Sequence, residues 1–108
     1  MSDAATEVRE FRIDIPEGEI IDLKSRLAST RWPDAETPDD WSQGLPLEYH
    51  QEFCKYWETE YDWYKTQEKL NKFPQFKSRF DGIDIHFVHV RSKENNARPL
   101  IITHGWPG

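Results

Sequence analysis

Cysteine occurs once in the 108 residues, at Cys54, so no internal disulfide can form and the chain suits a reducing compartment. Aliphatic side chains are scarce. Leu, Ile, Val and Phe make up 23 of the 108 residues, 21%, just above the ~20% line where disorder becomes the expectation. No run approaches the ~18 apolar residues of a membrane-spanning helix. The first ten residues carry neither a hydrophobic stretch nor a cleavage signal, so no secretory signal is expected and residues 1–10 read as a disordered N-terminus. These absences together predict a cytoplasmic protein. Basic charge is lacking too: 14 Lys and Arg face 20 Asp and Glu, for a net charge of −6. Phosphate binding needs a basic footprint, so nucleic acid is excluded as a partner. The pairs Lys69/Lys72 and Arg91/Lys93 read as solvated faces.

Aromatics are plentiful, with Trp 5, Tyr 4 and Phe 6. Disordered segments are poor in such residues, so the chain is expected to fold, and its length allows one domain at most. Its core is aromatic-heavy and thin in aliphatics. Surfaces outside the chain are expected to complete it.

Residues 11–15, Phe-Arg-Ile-Asp-Ile, alternate apolar and charged side chains, the period of a half-buried strand. Pro16, Glu17 and Glu19 then suit a helix start, and Ile20, Leu23 and Leu27 share one face, which predicts a helix over residues 16–30. Arg31-Trp32-Pro33 breaks it. The loop that follows, to Gly44, is long, and such loops are often pinned by their own side chains; Trp32 and Trp41 are the expected pins. A second helix is expected from near Pro46, with Tyr49, Phe53, Tyr56 and Trp57 in an apolar stripe. A third follows N-cap Asp62 and ends near Asn71. After Phe73-Pro74 the period changes to two. Asp81-Gly82 lies between two alternating runs, a strong hairpin signal, and the alternation slips at Phe87-Val88, where either a bulge or a change to two-sided burial is expected. Leu100-Ile101-Ile102-Thr103 reads as a strand buried on both faces, with neighbours that this chain does not supply.

That apolar run leads into His104-Gly105-Trp106-Pro107-Gly108. Ligands of open α/β sheets sit at the carboxyl ends of strands. A Gly-x-Pro loop there presents backbone N–H groups that can hold a developing oxyanion. An aromatic residue before proline also tolerates a cis bond. The same residues also suit a strand that simply ends at a Gly/Pro turn, with Trp106 packed on a core. Other constellations are weaker. His86 and His89 fall on opposite strand faces, which is wrong for one metal, and no cofactor is expected. Asp84 and His86 share a face and could pair. Cys54 reads as a small buried hydrophobe.

Residues 103–108 resemble the His-Gly-x-Pro oxyanion motif of α/β-hydrolase epoxide hydrolases. Upstream, residues 11–16, 23–33, 41–47, 56–57, 61–63, 70–76 and 82–89 resemble the N-terminal region of the microsomal and juvenile-hormone types. The combination of Asn71-x-Phe73-Pro74-Gln75-Phe76 with Phe87-Val88-His89 and the terminal motif is specific. His104-Gly105-x-Pro107 alone is shared with haloalkane dehalogenases. The resemblance implies an α/β fold, incomplete here. Residues 11–75 would form a helical wrapping domain. Residues 76–108 would begin the hydrolase sheet with the hairpin, the buried strand and the oxyanion loop. It also implies a mechanism in which an aspartate forms an ester with the epoxide and a His-acid pair activates water to hydrolyse it. Carried over, the Trp106 N–H donates to the oxyanion, the Trp106 indole lines the substrate pocket, and His104, Gly105 and Pro107 shape the loop. No Gly-x-Asp-x-Gly elbow occurs, and Tyr49, Tyr56, Tyr61 and Tyr64 are not assigned the proton-donor role of cap tyrosines. The membrane anchor of mammalian microsomal members is absent from the sequence.

The implied partners are the rest of the hydrolase core and cap, and, for the whole enzyme, a small hydrophobic epoxide; a homo-oligomer is compatible. Without the nucleophile the chain alone is expected to be inactive. A stand-alone interaction module, a truncated gene product and another α/β-hydrolase reaction such as dehalogenation are the alternative readings.

Overall fold

The structure, a computed structural model, describes residues 6–107. The expectations for residues 1–5 and for Gly108 fall outside them. The chain divides into two compact units, Arg12–Lys72 and a second that joins residues up to Phe11 with those from Phe73 onward.

The Arg12–Lys72 unit is helical. α1 spans Glu17–Ala28. Pro16 precedes it in an extended conformation, Glu17 and Glu19 sit at the positive end of the helix dipole, and Glu19 N–H donates to the Pro16 carbonyl at 3.0 Å. Ile20, Leu23 and Leu27 are half-buried, as their spacing predicts. The helix stops before the expected Thr30, whose hydroxyl turns back to the Leu27 carbonyl at 2.7 Å. α2 spans Leu47–Thr59 and α3 spans Trp63–Leu70. Asp62 caps α3 as expected, accepting the Tyr64 N–H at 3.0 Å.

The other unit is a three-stranded antiparallel sheet in the order β1 (Thr6–Phe11), β2 (Gln75–Phe80), β3 (Ile83–Val88). Phe80 pairs with Ile83 across the two-residue loop Asp81-Gly82, and both loop residues take positive φ, +48° and +79°. This is the predicted hairpin. One face carries Phe76, Phe80, Ile83, Ile85 and Phe87, with Phe76 and Phe87 stacked across the strands at 5.7 Å. The opposite face is polar. Arg9 pairs with Asp84 at 3.0 Å, and Lys77 lies 4.4 Å above the Phe11 ring.

Four expectations are corrected. Residues 6–10 are β1, not disordered tail, because their backbone pairs with β2. Residues 12–15, by contrast, form no strand. Their alternation is real, with Phe11, Ile13 and Ile15 half-buried and Arg12 and Asp14 exposed, but the side chains of Gln67 in α3 and of Asn71 at its C-terminal cap bond the backbone at Ile15 and Ile13. The bulge lies in β1 rather than at Phe87-Val88: Thr6 and Arg9 face Arg79 and Lys77, so one extra residue is taken up where Glu7 adopts φ +34°. Leu100-Ile101-Ile102-Thr103 is neither paired nor buried; Ile101 is 91% exposed. A central strand needs neighbours on both edges, and the sheet described here offers this run none.

Candidate functional site

The polar loop after β3 delivers the chain through Pro99 and the exposed apolar run to His104-Gly105-Trp106-Pro107. A bend falls at Trp106, and the Trp106–Pro107 peptide bond is cis. His104 Nδ1 lies 3.1 Å from the Gly105 carbonyl oxygen. A carbonyl only accepts, so in this contact Nδ1 is the donor. Trp106 is 98% exposed. No hydrogen bond to its backbone N–H occurs among the described residues. The loop thus presents an outward indole and, at the same residue, an amide donor with no partner among the described residues.

The remaining candidates scatter. Asp84 and His86 share a face but not a bond: Asp84 turns to Arg9, while His86 Nε2 lies 2.9 Å from Gln75 Oε1 and meets the Phe11 ring edge-on at 5.0 Å. Gln75 is 6% exposed, so this contact satisfies an amide that would be costly to leave unmet. Cys54 is half-buried. Tyr49 and Tyr56 are exposed on α2, Tyr61 Oη is 2.5 Å from Thr66 Oγ1, and Tyr64 Oη reaches toward the Ile15 carbonyl at 3.5 Å. Among the described residues no hydrogen bond joins these four hydroxyls to one another. Among the described residues, no group of three or more His, Cys, Asp or Glu is placed to hold a metal ion. No described helix is long and apolar enough to cross a membrane.

The loop before α2 is pinned as its tryptophans predict. Trp32 meets His50 edge-on at 5.5 Å, and Trp41 meets Tyr49 at 5.1 Å. A cavity of about 430 Å³ opens beside it, lined by Trp41, Tyr49 and five acidic residues, Glu36, Asp39, Asp40, Glu48 and Glu52, among others. Two of these acids already serve the fold. Leu47 N–H donates to Glu36 at 2.9 Å and holds its carboxyl below the usual glutamate range. Ser42, through its side chain and then its N–H, does the same for Asp40. Glu36 was not visible as a cap from the sequence, because it lies eleven residues before Leu47. The one signal was that Pro46 brings no side-chain hydrogen bond to the helix it precedes.

A hairpin, a polar loop and an apolar run ending in His-Gly-Trp-Pro define the opening part of an α/β-hydrolase. The chain belongs to the epoxide hydrolase N terminus family, whose model matches residues 8–108. A protein of Stigmatella aurantiaca, assigned by name to the epoxide hydrolases, is 50% identical over 101 residues; the match covers 94% of this chain and 23% of that protein. Epoxide hydrolase 1 of Sus scrofa is 35% identical over 105 residues, with 94% and 23% covered. The solved structure of the Aspergillus niger epoxide hydrolase superposes with a TM-score of 0.84 at 30% identity, over 97% of this chain and 28% of that one. The chain therefore spans about a quarter of the length of the curated relatives it matches.

Proposed function

We propose that this chain forms the N-terminal part of an enzyme that opens small hydrophobic epoxides to vicinal diols through an ester on an aspartate. The remainder of the hydrolase core and cap would supply the nucleophile, the proton-donating tyrosines and the His-acid pair. This chain contributes the Trp106 N–H, which donates to the oxyanion formed as water attacks the ester, while His104, Gly105 and Pro107 shape the loop and the indole faces substrate. The family match, continuous from residue 8 through this loop, carries the reading. It also favours epoxide opening over dehalogenation. By itself the chain is inactive, and it resides in the cytoplasm.

A second reading, a non-catalytic interaction module, draws on the exposed stripe of Tyr49, Phe53 and Tyr56 on α2.

The test has two arms. The 108-residue chain is assayed for diol formation from an aryl epoxide; no turnover is expected, and turnover would show that the nucleophile is present after all. In the polypeptide extended through the hydrolase core, Trp106→Pro deletes the amide donor and Trp106→Phe keeps it. The proline variant should still form the ester but hydrolyse it roughly 100-fold more slowly. Equal ester hydrolysis in the two variants would remove Trp106 from the oxyanion site. An extended polypeptide that forms no diol, or no extension in the reading frame, would favour the interaction module.

A further inference from the structure

Asn71 opens the Asn-x-Phe-Pro-Gln-Phe motif, and nothing in the proposed reaction uses it. It contacts the strand-like run at two points: Ile13 N–H donates to Asn71 Oδ1 at 2.9 Å, and Asn71 Nδ2 donates to the Ile13 carbonyl at 2.8 Å. This is the pair of bonds that two residues exchange across an antiparallel ladder. Gln67, four residues earlier, takes the next free donor: its Oε1 accepts the Ile15 N–H at 2.9 Å and the Trp63 indole N–H at 3.2 Å.

We propose that Asn71 and Gln67 form a latch that stands in for a neighbouring strand, capturing residues 12–15 where β1 ends at Phe11. The spacings match. Two residues of extended chain rise roughly 6.6 Å, and four residues of α-helix rise about 6.0 Å. The pairs Ile13–Asn71 and Ile15–Gln67 step in opposite directions along the two segments, so one helix face meets alternate residues of the strap. β2 is a poor competitor. Continuing the observed register from Phe11–Gln75 would set Arg12 opposite Pro74, which has no N–H and whose carbonyl already accepts His89 N–H at 3.2 Å.

The two carboxamides are not equivalent. Asn71 uses both its donor and its acceptor, whereas among the described residues the side-chain hydrogen bonds of Gln67 all fall on its oxygen. A carboxylate can therefore replace Gln67 but not Asn71, since it would accept the Ile13 N–H and face the Ile13 carbonyl with no proton to give.

Amide exchange of the full chain tests this, using protection factors at Ile13 and Ile15 with the β2–β3 ladder as internal reference. Asn71→Asp should lower Ile13 protection roughly tenfold near neutral pH. At about pH 3, where the new carboxyl is protonated and can donate, protection should return toward that of the original chain at the same pH. Gln67→Glu should leave Ile15 protected, and Gln67→Leu should not. Unchanged Ile13 protection in Asn71→Asp, or no recovery in acid, overturns the latch. Should Asn71→Asp lose the ladder protection as well, the Gln67 pair decides, and equal loss in Glu and Leu overturns it.

Discussion

Gly82 shows how much one residue's backbone decides. It follows Asp81 in the two-residue loop and holds φ +79°, a region that a Cβ makes costly. A Cβ built there meets nothing within 4 Å, so the cost of Gly82→Ala would be conformational and not a clash. We expect the substitution to destabilise the hairpin by about 1 kcal/mol. The check is the loss of β2–β3 amide protection, with β1–β2 pairs such as Glu10–Phe76 changing less. An unchanged hairpin would mean that the loop relaxes to another turn. Asp81-Gly82 was legible in the sequence because the signal and the structure it specifies are adjacent. Asn71 was not: its role depends on Ile13, 58 residues away, and nothing near either residue announces the other.

Among the elements, α2 is the one whose start depends on a distant side chain. Pro46 sets its entry angle but brings no side-chain hydrogen bond, and Glu36 accepts the Leu47 N–H from across the loop. The hydrogen bond from Leu47 holds the Glu36 carboxyl below its ordinary range. The folded state thus binds this proton more weakly than the unfolded chain. The contribution is complete above the ordinary glutamate pKa and is lost as pH falls through the lower folded value. Acidification should therefore loosen the loop-to-helix junction, read as rising exchange at Leu47 N–H. Glu36→Gln should flatten that pH dependence, because an amide oxygen accepts the N–H in both conditions. A Leu47 amide indifferent to pH in the original chain would remove Glu36 as the cap. The helices were legible where a cap or a proline stands next to its helix, as at Asp62 and Pro16. Of the strand expected over residues 11–15, only Phe11 is paired, because alternation reports which side chains point inward and not what the backbone bonds to.

For the whole molecule, the aromatic excess acquires a physical meaning. Among the described residues no apolar side chain is fully buried; the two buried residues are Gln75 and Ser78, at 6% and 3% exposure, both on β2. Large apolar side chains such as Phe53, Ile83, Ile101 and Trp106 stay in contact with water. Hydrophobic stabilisation scales with the area removed from water, so each unit here rests more on ladders, caps and ring contacts than on a core. Two consequences are measurable on the 108-residue chain. Its slowest amides should lie in β2, the central strand, while residues 100–103 exchange almost as freely as an unfolded chain. Its urea unfolding should be shallow, with an m-value below the ~1 kcal/mol/M at the low end for small proteins, because little surface is newly exposed. A steep cooperative transition, with protected amides at residues 100–103, would mean that the apolar run finds a partner within the chain and that the aromatic faces close on one another. If the proposed function holds, extending the polypeptide through the hydrolase core should protect the same four amides and steepen the transition, since the run would then gain neighbouring strands and the helices that cover them.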